Sequence, residues 1–293
     1  MKVSGFTIIR NAIKYDYPIK EAILSVLPLC DEFIVAVGNS EDNTRDLVAN
    51  ICYDKIKIID TIWNDTKREG GEVLANETNK ALNEISADTD WAIYIQGDEV
   101  LHENYIDNVY KTMKKYQKNI DVQGLLFNYI HFYGNYNYIG NSRRWYRREV
   151  RAIRPNIGIK SYKDAQGFRL NDKKLFVKDV DAFIYHYGWV KSPQDTLLKN
   201  KYFQTLWHND KYVADWLADN TINLDEYDYS NIDSLELFTD EHPKVMEERI
   251  KSKNWNINFD LSKNKLNFRN RLLYLFEKYT GYRLFEYKNY KKI

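Results

Sequence analysis

Short apolar runs alternate with amphipathic stretches through the first hundred residues, and no other feature restricts the fold as strongly. The apolar runs cover residues 6–9, 33–37, 56–59 and 91–95. In each interval between them, apolar residues recur at three- and four-residue spacing, which predicts a helix. Strands that alternate with helices indicate βαβ units, and therefore an α/β fold with a mostly parallel central sheet flanked by helices.

The first of these helices carries a start signal. Asp16 stands two residues before Pro18, and an N-cap residue with an early proline is typical of a helix N-terminus. We therefore expect Asp16 to cap a helix that begins near Pro18.

Polar clusters directly follow three of the predicted strands. Arg10 and Asn11 follow the first strand, residues 38–42 follow the second, and residues 96–99 follow the fourth. In α/β sheets, ligands bind outside the carboxyl ends of the strands. The sequence therefore predicts a binding site where these three clusters meet.

Two adjacent carboxylates, Asp98 and Glu99, follow the fourth strand in the sequence QGDE. Mg²⁺ and Mn²⁺ are suited to oxygen ligands, and Mg²⁺ is usually held by one or two carboxylates together with the phosphates of a substrate. Gly97 allows a ligand to approach the backbone closely. The alternative is that the two carboxylates open a helix, because negative charge is favourable at a helix N-terminus.

His186 lies near the end of a later predicted strand, in IYHYGWV. An imidazole is an acceptable ligand for Mn²⁺, so His186 could complete a metal site begun by Asp98. The alternative is a histidine that is satisfied inside the sheet or stacked among aromatic rings.

Five arginines fall within the nine residues RRWYRREVR: Arg143, Arg144, Arg147, Arg148 and Arg151. A guanidinium group matches phosphate oxygens in a bidentate manner, so one or two of these arginines are candidates for phosphate contact. The others are expected to form a solvated charged strand or loop. A net charge of +1 argues against the wide basic face of a nucleic-acid-binding protein.

Asp164, in SYKDAQGFR, is a candidate general base, because a carboxylate can accept the proton of a hydroxyl group. The alternative is a plain turn residue before Gly167. Glu149 is the competing carboxylate.

Taken together, these motifs resemble the family 2 glycosyltransferases with the GT-A fold. The segment VGNSEDNT is similar to the family pattern Asp-x-Gly-Ser-x-Asp-x-Thr at Ser40, Asp42 and Thr44. Val37 and Asn39 stand where the family has its first Asp and its Gly.

Two later motifs extend the resemblance over about residues 1–210. The segment ETNKAL supplies the helix asparagine of the family as Asn79, and QGDE matches the Asp-x-Asp metal motif at Asp98 with Gln96 in place of the first Asp. A bacterial subgroup with a similar QADE motif is related to the enzymes that modify the core sugars of lipopolysaccharide.

The resemblance implies inverting transfer of a sugar from a nucleotide-diphosphate donor, with a UDP-sugar expected. The acceptor would be a hydroxyl group of a glycan or glycolipid in surface-polysaccharide synthesis. It also implies a divalent cation, Mn²⁺ or Mg²⁺, held by Asp98 and His186 against the donor diphosphate. Asp164 is then the first choice for the base and Glu149 the second.

The remaining site residues follow from the same resemblance. Arg143, Arg144 and Arg147 would face phosphate or acceptor charge. Asp65 and the backbone near Arg10 are the candidates for base recognition, because Val37 removes the usual nucleoside contact. The nucleotide-binding candidates are Arg10, Asn11, Gly38, Asn39, Ser40, Asp42, Asp65, Asn79, Gln96 and Gly97.

The end of the chain is segregated in charge. Nine carboxylates and no Lys or Arg lie between Asp215 and Glu241, whereas the chain from Lys263 onward carries a local charge of +7. We expect a transferase domain over 1–210, with its nucleotide-binding part at about 1–100 and its acceptor part at about 101–210. A mainly helical extension is expected over 211–293.

Four apolar residues of this extension, Leu272, Leu275, Phe276 and Tyr279, lie on one face of a predicted helix that stops at Gly281. Basic residues beside an apolar face can rest on an anionic membrane surface. Packing onto the core and homodimerisation are the alternatives.

The start of the chain lacks the long apolar segment of a signal peptide, and no run approaches the roughly 20 apolar residues of a membrane span. Cys30 and Cys52 are interpreted as reduced residues. A cytoplasmic location is therefore expected, with peripheral contact to the inner face of the membrane as an option.

Two other functions compete with glycosyl transfer. A non-catalytic nucleotide-sugar or glycan-binding protein of the same fold is compatible with Gln96 in the metal motif. A nucleotidyltransferase is disfavoured, because the residues after the first strand, Arg10-Asn11-Ala12, do not form a glycine-rich phosphate loop.

Overall fold

The computed structural model describes residues 1–51, 54–66, 70–222, 226–262 and 265–293, so Cys52 lies outside the described residues. Its helices are α1 Ile19–Val26, α2 Thr44–Ala49, α3 Glu72–Asn83, α4 Ile106–Tyr116, α5 Pro193–Thr205, α6 Asp210–Asn220, α7 Glu247–Lys251 and α8 Phe268–Thr280. Its strands are β1 Val3–Ile9, β2 Glu32–Gly38, β3 Ile56–Thr61, β4 Trp91–Tyr94, β5 Glu99–Leu101, β6 Gly124–Tyr133, β7 Asn135–Gly140, β8 Arg148–Ile153, β9 Ile159–Tyr162, β10 Gly167–Leu170, β11 Lys173–Lys174, β12 Phe176–Trp189, β13 Thr221–Ile222, β14 Glu226–Tyr227, β15 Leu235–Leu237 and β16 Lys291–Lys292.

The four strands predicted from the apolar runs form one parallel unit in the order β4-β1-β2-β3. Every residue of β1 is buried, because helices cover both faces of the sheet. Ile9 belongs to a core cluster that contains Ile23 of α1, whereas Phe6 belongs to a second cluster that contains Leu82 of α3. The α/β fold with a central sheet flanked by helices is therefore confirmed.

The second half of the sheet is mixed and brings distant segments together. β8 joins β4 in the antiparallel sense, and β6 joins β8 likewise. β12 lies between β6, to which it runs parallel, and β5, to which it runs antiparallel. This arrangement sets His186 of β12 in register with Glu99 of β5 on one side and His131 of β6 on the other.

The start of α1 differs from the prediction. Pro18 occupies the N-cap position and no side chain caps the helix. Asp16 adopts a left-handed conformation with φ of 48°, and Arg249 donates hydrogen bonds to its carboxylate and to its backbone carbonyl. A guanidinium group is a stronger partner for a carboxylate than a backbone amide, which explains why Asp16 does not cap the helix.

The chain after residue 210 is not only helical. It contains α6, α7 and α8, but β15 pairs with β7 and β16 pairs with β12, so this segment also contributes strands to the main sheet. The predicted end of α8 is confirmed, because Gly281 follows the helix with φ of 69°. The boundary at residue 210 stays a prediction. None of the described helices is long and apolar enough to cross a membrane.

Candidate active site

The two adjacent carboxylates after β4 face different surroundings. Glu99 opens the strand β5 rather than a helix, and its side chain is fully buried. Both of its oxygens accept hydrogen bonds of 2.8 Å from Arg151. Glu99 also accepts hydrogen bonds from the Tyr129 hydroxyl at 2.8 Å and from the backbone N–H of Gln96 at 3.1 Å. The buried ion pair therefore fixes the turn that presents Asp98.

Asp98 meets a second cation, Lys199 of α5. The Lys199 ammonium donates a 3.0 Å hydrogen bond to Asp98 Oδ2 and a 2.9 Å bond to the carbonyl of Gly188. Burial is the largest single influence on Asp98 and opposes its ionisation, but the charge and hydrogen bond of Lys199, with smaller contributions from His186 and Lys191, together lower the pKa of the carboxyl well below its ordinary value. Asp98 is therefore an anion held in one orientation.

A chain of hydrogen bonds determines which nitrogen of His186 carries a proton. His131 Nε2 lies 2.7 Å from the carbonyl oxygen of Tyr146, which can only accept, so this nitrogen carries the hydrogen. His131 Nδ1 is then an acceptor, and His186 Nδ1, 3.1 Å away, donates to it. Burial lowers the pKa of both imidazoles, so both are neutral near pH 7. The unprotonated His186 Nε2 is left to face Asp98.

The space between Asp98 and His186 fits a shared cation. Asp98 Oδ1 and His186 Nε2 present lone pairs to each other across 3.8 Å. Gly188 keeps this space open, because a Cβ atom there would lie 2.7 Å from His186 Nε2 and 2.8 Å from Asp98 Oδ2. Among the described residues, no group of three or more His, Cys, Asp or Glu is arranged so that it could hold a metal ion. Two protein ligands suit a divalent ion whose remaining ligands come from substrate and water.

A single cavity contains much of the predicted site. The predicted residues that line it are Arg10, Gln96, Gly97, Asp98, Asp164 and His186. Another part of its lining is aromatic, where the guanidinium of Arg10 lies 5.6 Å from the ring centroid of Trp63 and 5.9 Å from that of Tyr202. The lining of the cavity therefore combines the Asp98–Lys199 ion pair with aromatic rings around Arg10.

The predicted nucleotide contacts Asp65, Asn39 and Gly38 lie outside the described lining of the cavity and support the aromatic residues around Arg10. Arg10 donates to the carboxylate of Asp65 at 2.6 Å and to the carbonyl of Asn39 at 3.1 Å. Asn39 also accepts the backbone N–H of Trp63 at 3.1 Å. Gly38 leaves the room that Trp63 needs, because a Cβ atom there would lie 2.4 Å from Trp63 Nε1.

The remainder of the VGNSEDNT motif holds the loop after β1. Ser40 Oγ accepts the backbone N–H of Asn11 at 3.0 Å, and Asp42 accepts that of Lys14 at 2.7 Å. Asn11, Ser40 and Asp42 do not belong to the described lining of the cavity. Their position indicates a supporting role, and direct nucleotide contact by them stays a prediction.

Asn79 lies away from the cavity lining. Its side chain accepts the backbone N–H of Ser161 at 2.7 Å and donates to the Ser161 carbonyl at 3.3 Å. These two bonds tie α3 to β9, a strand of the small antiparallel sheet that precedes and follows the Asp164 turn. Both polar groups of the Asn79 side chain are used there.

The two candidate bases differ in position. Asp164 stands between Lys163 and Ala165, both with positive φ, and lines the cavity and also a second groove. Glu149 lines only this second groove, which lies between segment 143–149 and tail segment 283–290. Burial raises the pKa of Asp164, and it raises that of Glu149 to about 7. Asp164 is therefore the carboxylate that shares a cavity with Asp98.

The predicted phosphate-binding arginines also line the second groove, but two of them pair with carboxylates and the third, Arg144, donates to the carbonyl of Asn231 at 3.4 Å. Arg143 pairs with Glu277 at 3.0 Å, and Arg147 donates two 3.0 Å bonds to Glu286. Arg144 lies 5.9 Å from the ring centroid of Trp145. Contact of Arg143 or Arg147 with an acceptor would have to compete with the carboxylates of the tail.

A sequence-family comparison decides the family. The model described as "Glycosyl transferase family 2" matches residues 11–176, more than half of the chain. The chain belongs to glycosyltransferase family 2. Its parallel β4-β1-β2-β3 unit with helices on both faces is the GT-A fold that the sequence motifs implied.

The glycosyltransferase also resembles solved structures at low identity. S. aureus TarS shares 17% identity over 69% of this chain and 39% of its own, with a TM-score of 0.39. TarS 1–349 in complex with UDP shares 17% identity over 69% of this chain and 64% of its own, with a TM-score of 0.40. Glucosyl-3-phosphoglycerate synthase from Mycobacterium tuberculosis, solved with Mn²⁺, UDP and phosphoglyceric acid, shares 18% over 44% of this chain and 43% of its own, with a TM-score of 0.29.

The aligned part of this chain thus spans less than two thirds of each of those proteins. A search of curated proteins gave no match. The family and the geometry of this chain's own residues are therefore the basis for its function.

Sequence reasoning missed four residues of the candidate site, Lys199, Gly188, Trp63 and Tyr202, and it missed the pairing of Arg151 with Glu99. Gly188 and Arg151 stand inside motifs that were singled out, and a glycine beside a candidate metal ligand was a usable signal. Lys199 lies 101 residues from Asp98 and had no local signal.

Proposed function

We propose that this protein transfers a sugar, with inversion, from a nucleotide-diphosphate donor, expected to be a UDP-sugar, to a hydroxyl group of a glycan or glycolipid. The observation that carries the proposal is the convergence of Asp98, His186 and Lys199 in a cavity whose lining also contains the aromatic rings of Trp63 and Tyr202. Aromatic rings suit stacking with a nucleobase, and the Lys199 ammonium suits a phosphate oxygen.

Each residue has a separate task in this reaction. Asp98 and His186 would hold a divalent cation, Mn²⁺ or Mg²⁺, which when bound neutralises charge on the departing diphosphate. Lys199 uses two of its three N–H groups on Asp98 and Gly188, so the third can donate to a phosphate oxygen. Asp164 accepts the proton of the acceptor hydroxyl as that oxygen attacks the anomeric carbon.

The cellular setting belongs to the same proposal. The resemblance of the QGDE motif to the subgroup related to lipopolysaccharide-core enzymes supports a cytoplasmic role in surface-polysaccharide synthesis. The experiment that tests the activity is incubation with a panel of nucleotide sugars and glycan acceptors, with UDP release and product mass as readouts.

Non-catalytic binding of a nucleotide sugar or glycan is the second candidate function. Gln96 favours it, because the substitution removes one negative charge from the metal motif. Binding of the donor without turnover on any acceptor would support this candidate, and pyrophosphate release would instead indicate nucleotidyl transfer.

Donor binding is expected to depend on the metal. UDP affinity should fall about 10- to 100-fold when Mn²⁺ is replaced by EDTA, because contacts with charged groups contribute about 1.5–3 kcal/mol. Asp98→Asn should abolish this difference, whereas the matched change Asp121→Asn at an exposed carboxylate should preserve it. Titration calorimetry measures both, and equal affinities in Mn²⁺ and EDTA would contradict the metal assignment.

Lys199→Met is expected to weaken UDP binding even in EDTA, by about tenfold or more, because the fixed ammonium is a charge-assisted donor to phosphate. Lys201→Met changes an exposed lysine on the same helix and serves as the control. If Lys199→Met binds UDP in EDTA as tightly as the wild type, Lys199 does not contact the diphosphate.

A further inference from the structure

The helix α8 presents an apolar face to solvent. Phe268, Leu272, Leu275, Phe276 and Tyr279 are between 38% and 84% exposed. At helical spacing these residues lie on one side of α8, which we call the outward face. The core therefore leaves this face partly uncovered, which favours an external partner over packing onto the core, one alternative left open by the sequence.

The opposite side of α8 holds the helix in this orientation. Glu277 pairs with Arg143 at 3.0 Å, with Arg147 at 3.3 Å and with Arg283 at 2.8 Å. Tyr274, on the same side, lies within 3.4 Å of the Asn141 side chain. The exposure of the outward face is thus a consequence of a specific ionic contact beneath the helix.

The surroundings of the outward face are cationic. Arg269, Arg271 and Lys278 are exposed and flank it on both sides at helical spacing. The only carboxylates of segment 265–293 are Glu277 and Glu286, and both pair with arginines of the core. The solvent-facing surface of α8 therefore combines apolar area with three exposed cations, of which Lys278 shares a groove with Glu236 and Glu277.

We propose that the outward face of α8 binds the surface of an anionic lipid bilayer. A helix with an apolar face flanked by Lys and Arg lies in the plane of a membrane interface, where its basic residues are attracted to anionic headgroups. A second copy of the chain is a poorer partner, because a two-fold contact through this face would place identical cations against each other. Charge complementarity therefore selects the membrane.

The same surface continues toward the groove beside the candidate bases. Phe285 and Tyr287 are exposed and line the second groove together with Glu149 and Asp164. Docking through α8 would bring this groove near the bilayer, where a glycolipid acceptor resides. This last step rests on the proposed function, whereas binding to the bilayer does not.

The test is flotation of the full-length protein with vesicles. We expect co-flotation with vesicles of phosphatidylcholine and phosphatidylglycerol, and little with phosphatidylcholine alone. Arg271→Gln/Lys278→Gln should lower the partition coefficient about 30-fold, since each basic residue near an anionic surface contributes about a fivefold factor. Phe268→Ser/Leu272→Ser should also release the protein. Raised salt should weaken binding of the wild type.

Matched controls separate membrane binding from folding and from activity. Ile120→Ser changes a side chain that is 79% exposed, as is that of Phe268, but lies far from α8 in sequence. This control should float like the wild type, and all variants should keep the wild-type circular dichroism spectrum and UDP affinity.

If the wild type does not float with anionic vesicles, the proposal is wrong. A concentration-dependent dimer that the α8 variants abolish, without any flotation, would assign the face to self-association instead. Absence of UDP binding would count against the proposed function alone.

Discussion

Asp164→Asn is expected to lower kcat/KM for glycosyl transfer about 10²- to 10⁴-fold, the contribution of a positioned general base. Asp164 is the candidate base that lines the same cavity as Asp98, and an amide cannot accept the proton of the acceptor hydroxyl. UDP affinity should change little, because Asp164 is placed on the acceptor side of the reaction. Steady-state kinetics and UDP titration together measure the two effects.

The pH profile gives a second readout for the same residue. Burial raises the pKa of Asp164 above its ordinary value. Because only the carboxylate form accepts a proton, wild-type kcat/KM should rise as the pH increases through this raised pKa. The variant Asp164→Asn should lose that limb of the profile.

Two further variants test whether Asp164, and not Glu149, is the general base. Glu149→Gln should lower kcat/KM by less than about tenfold, well below the range for a general base. Asp172→Asn makes the same chemical change as Asp164→Asn at an exposed position of the neighbouring hairpin and should resemble the wild type. If Glu149→Gln instead causes the large loss and removes an inflection near pH 7, the roles of the two carboxylates are exchanged, because the pKa of Glu149 is raised to about 7.

Arg151→Met is expected to lower the free energy of unfolding by about 3–5 kcal/mol, the range for breaking a buried ion pair. Both side chains of the Glu99–Arg151 pair are fully buried, with a shortest N–O distance of 2.8 Å. Removal of the guanidinium leaves the Glu99 carboxylate in the core without its counter-charge. Glu99 also accepts a hydrogen bond from the backbone N–H of Gln96, so the turn that carries Asp98 should loosen and UDP affinity should fall. Urea denaturation measures the first effect.

An exposed ion pair and a double variant provide the comparison for Arg151. Arg45→Met breaks the solvent-exposed pair with Asp60 and should cost no more than about 1 kcal/mol. The double variant Arg151→Met/Glu99→Leu should recover part of the stability lost in Arg151→Met, because it removes the buried carboxylate as well. A loss below 1 kcal/mol in Arg151→Met would show that the core tolerates Glu99 without a partner.

The sequence determined the elements whose signals are local. The four apolar runs form the strands β1 to β4, and the amphipathic stretches between them form the helices α1, α2 and α3. Gly281 ended α8 because a glycine readily adopts the left-handed conformation that follows a helix. The charge pattern of the tail also followed from sequence, although the strands β15 and β16 within it did not. Those strands are two or three residues long, too short for an apolar period to be visible.

Part of the candidate site was also predictable, because the carboxyl ends of parallel strands lie at the same edge of a sheet. Arg10, Gln96 and Asp98 therefore met in one cavity, as their positions after β1 and β4 required. Family resemblance added Asp164 and His186, which line the same cavity. Asn79 shows the limit of this reasoning: a polar residue on a helix was predicted to face the ligand, and its hydrogen bonds go instead to Ser161.

Only the tertiary structure decided which cation meets each carboxylate. Asp98 and Glu99 are adjacent in the sequence but pair with different cations. Asp98 pairs with Lys199, on a helix 101 positions later, and Glu99 pairs with Arg151, on a strand 52 positions later. The physical reason is that a buried charge is stabilised by whichever opposite charge the fold brings within hydrogen-bond distance, and sequence separation does not enter that energy. The insertion of β12 between β5 and β6 likewise placed His131 behind His186, and the hydrogen bonds from the Tyr146 carbonyl through His131 to His186 leave a lone pair facing Asp98.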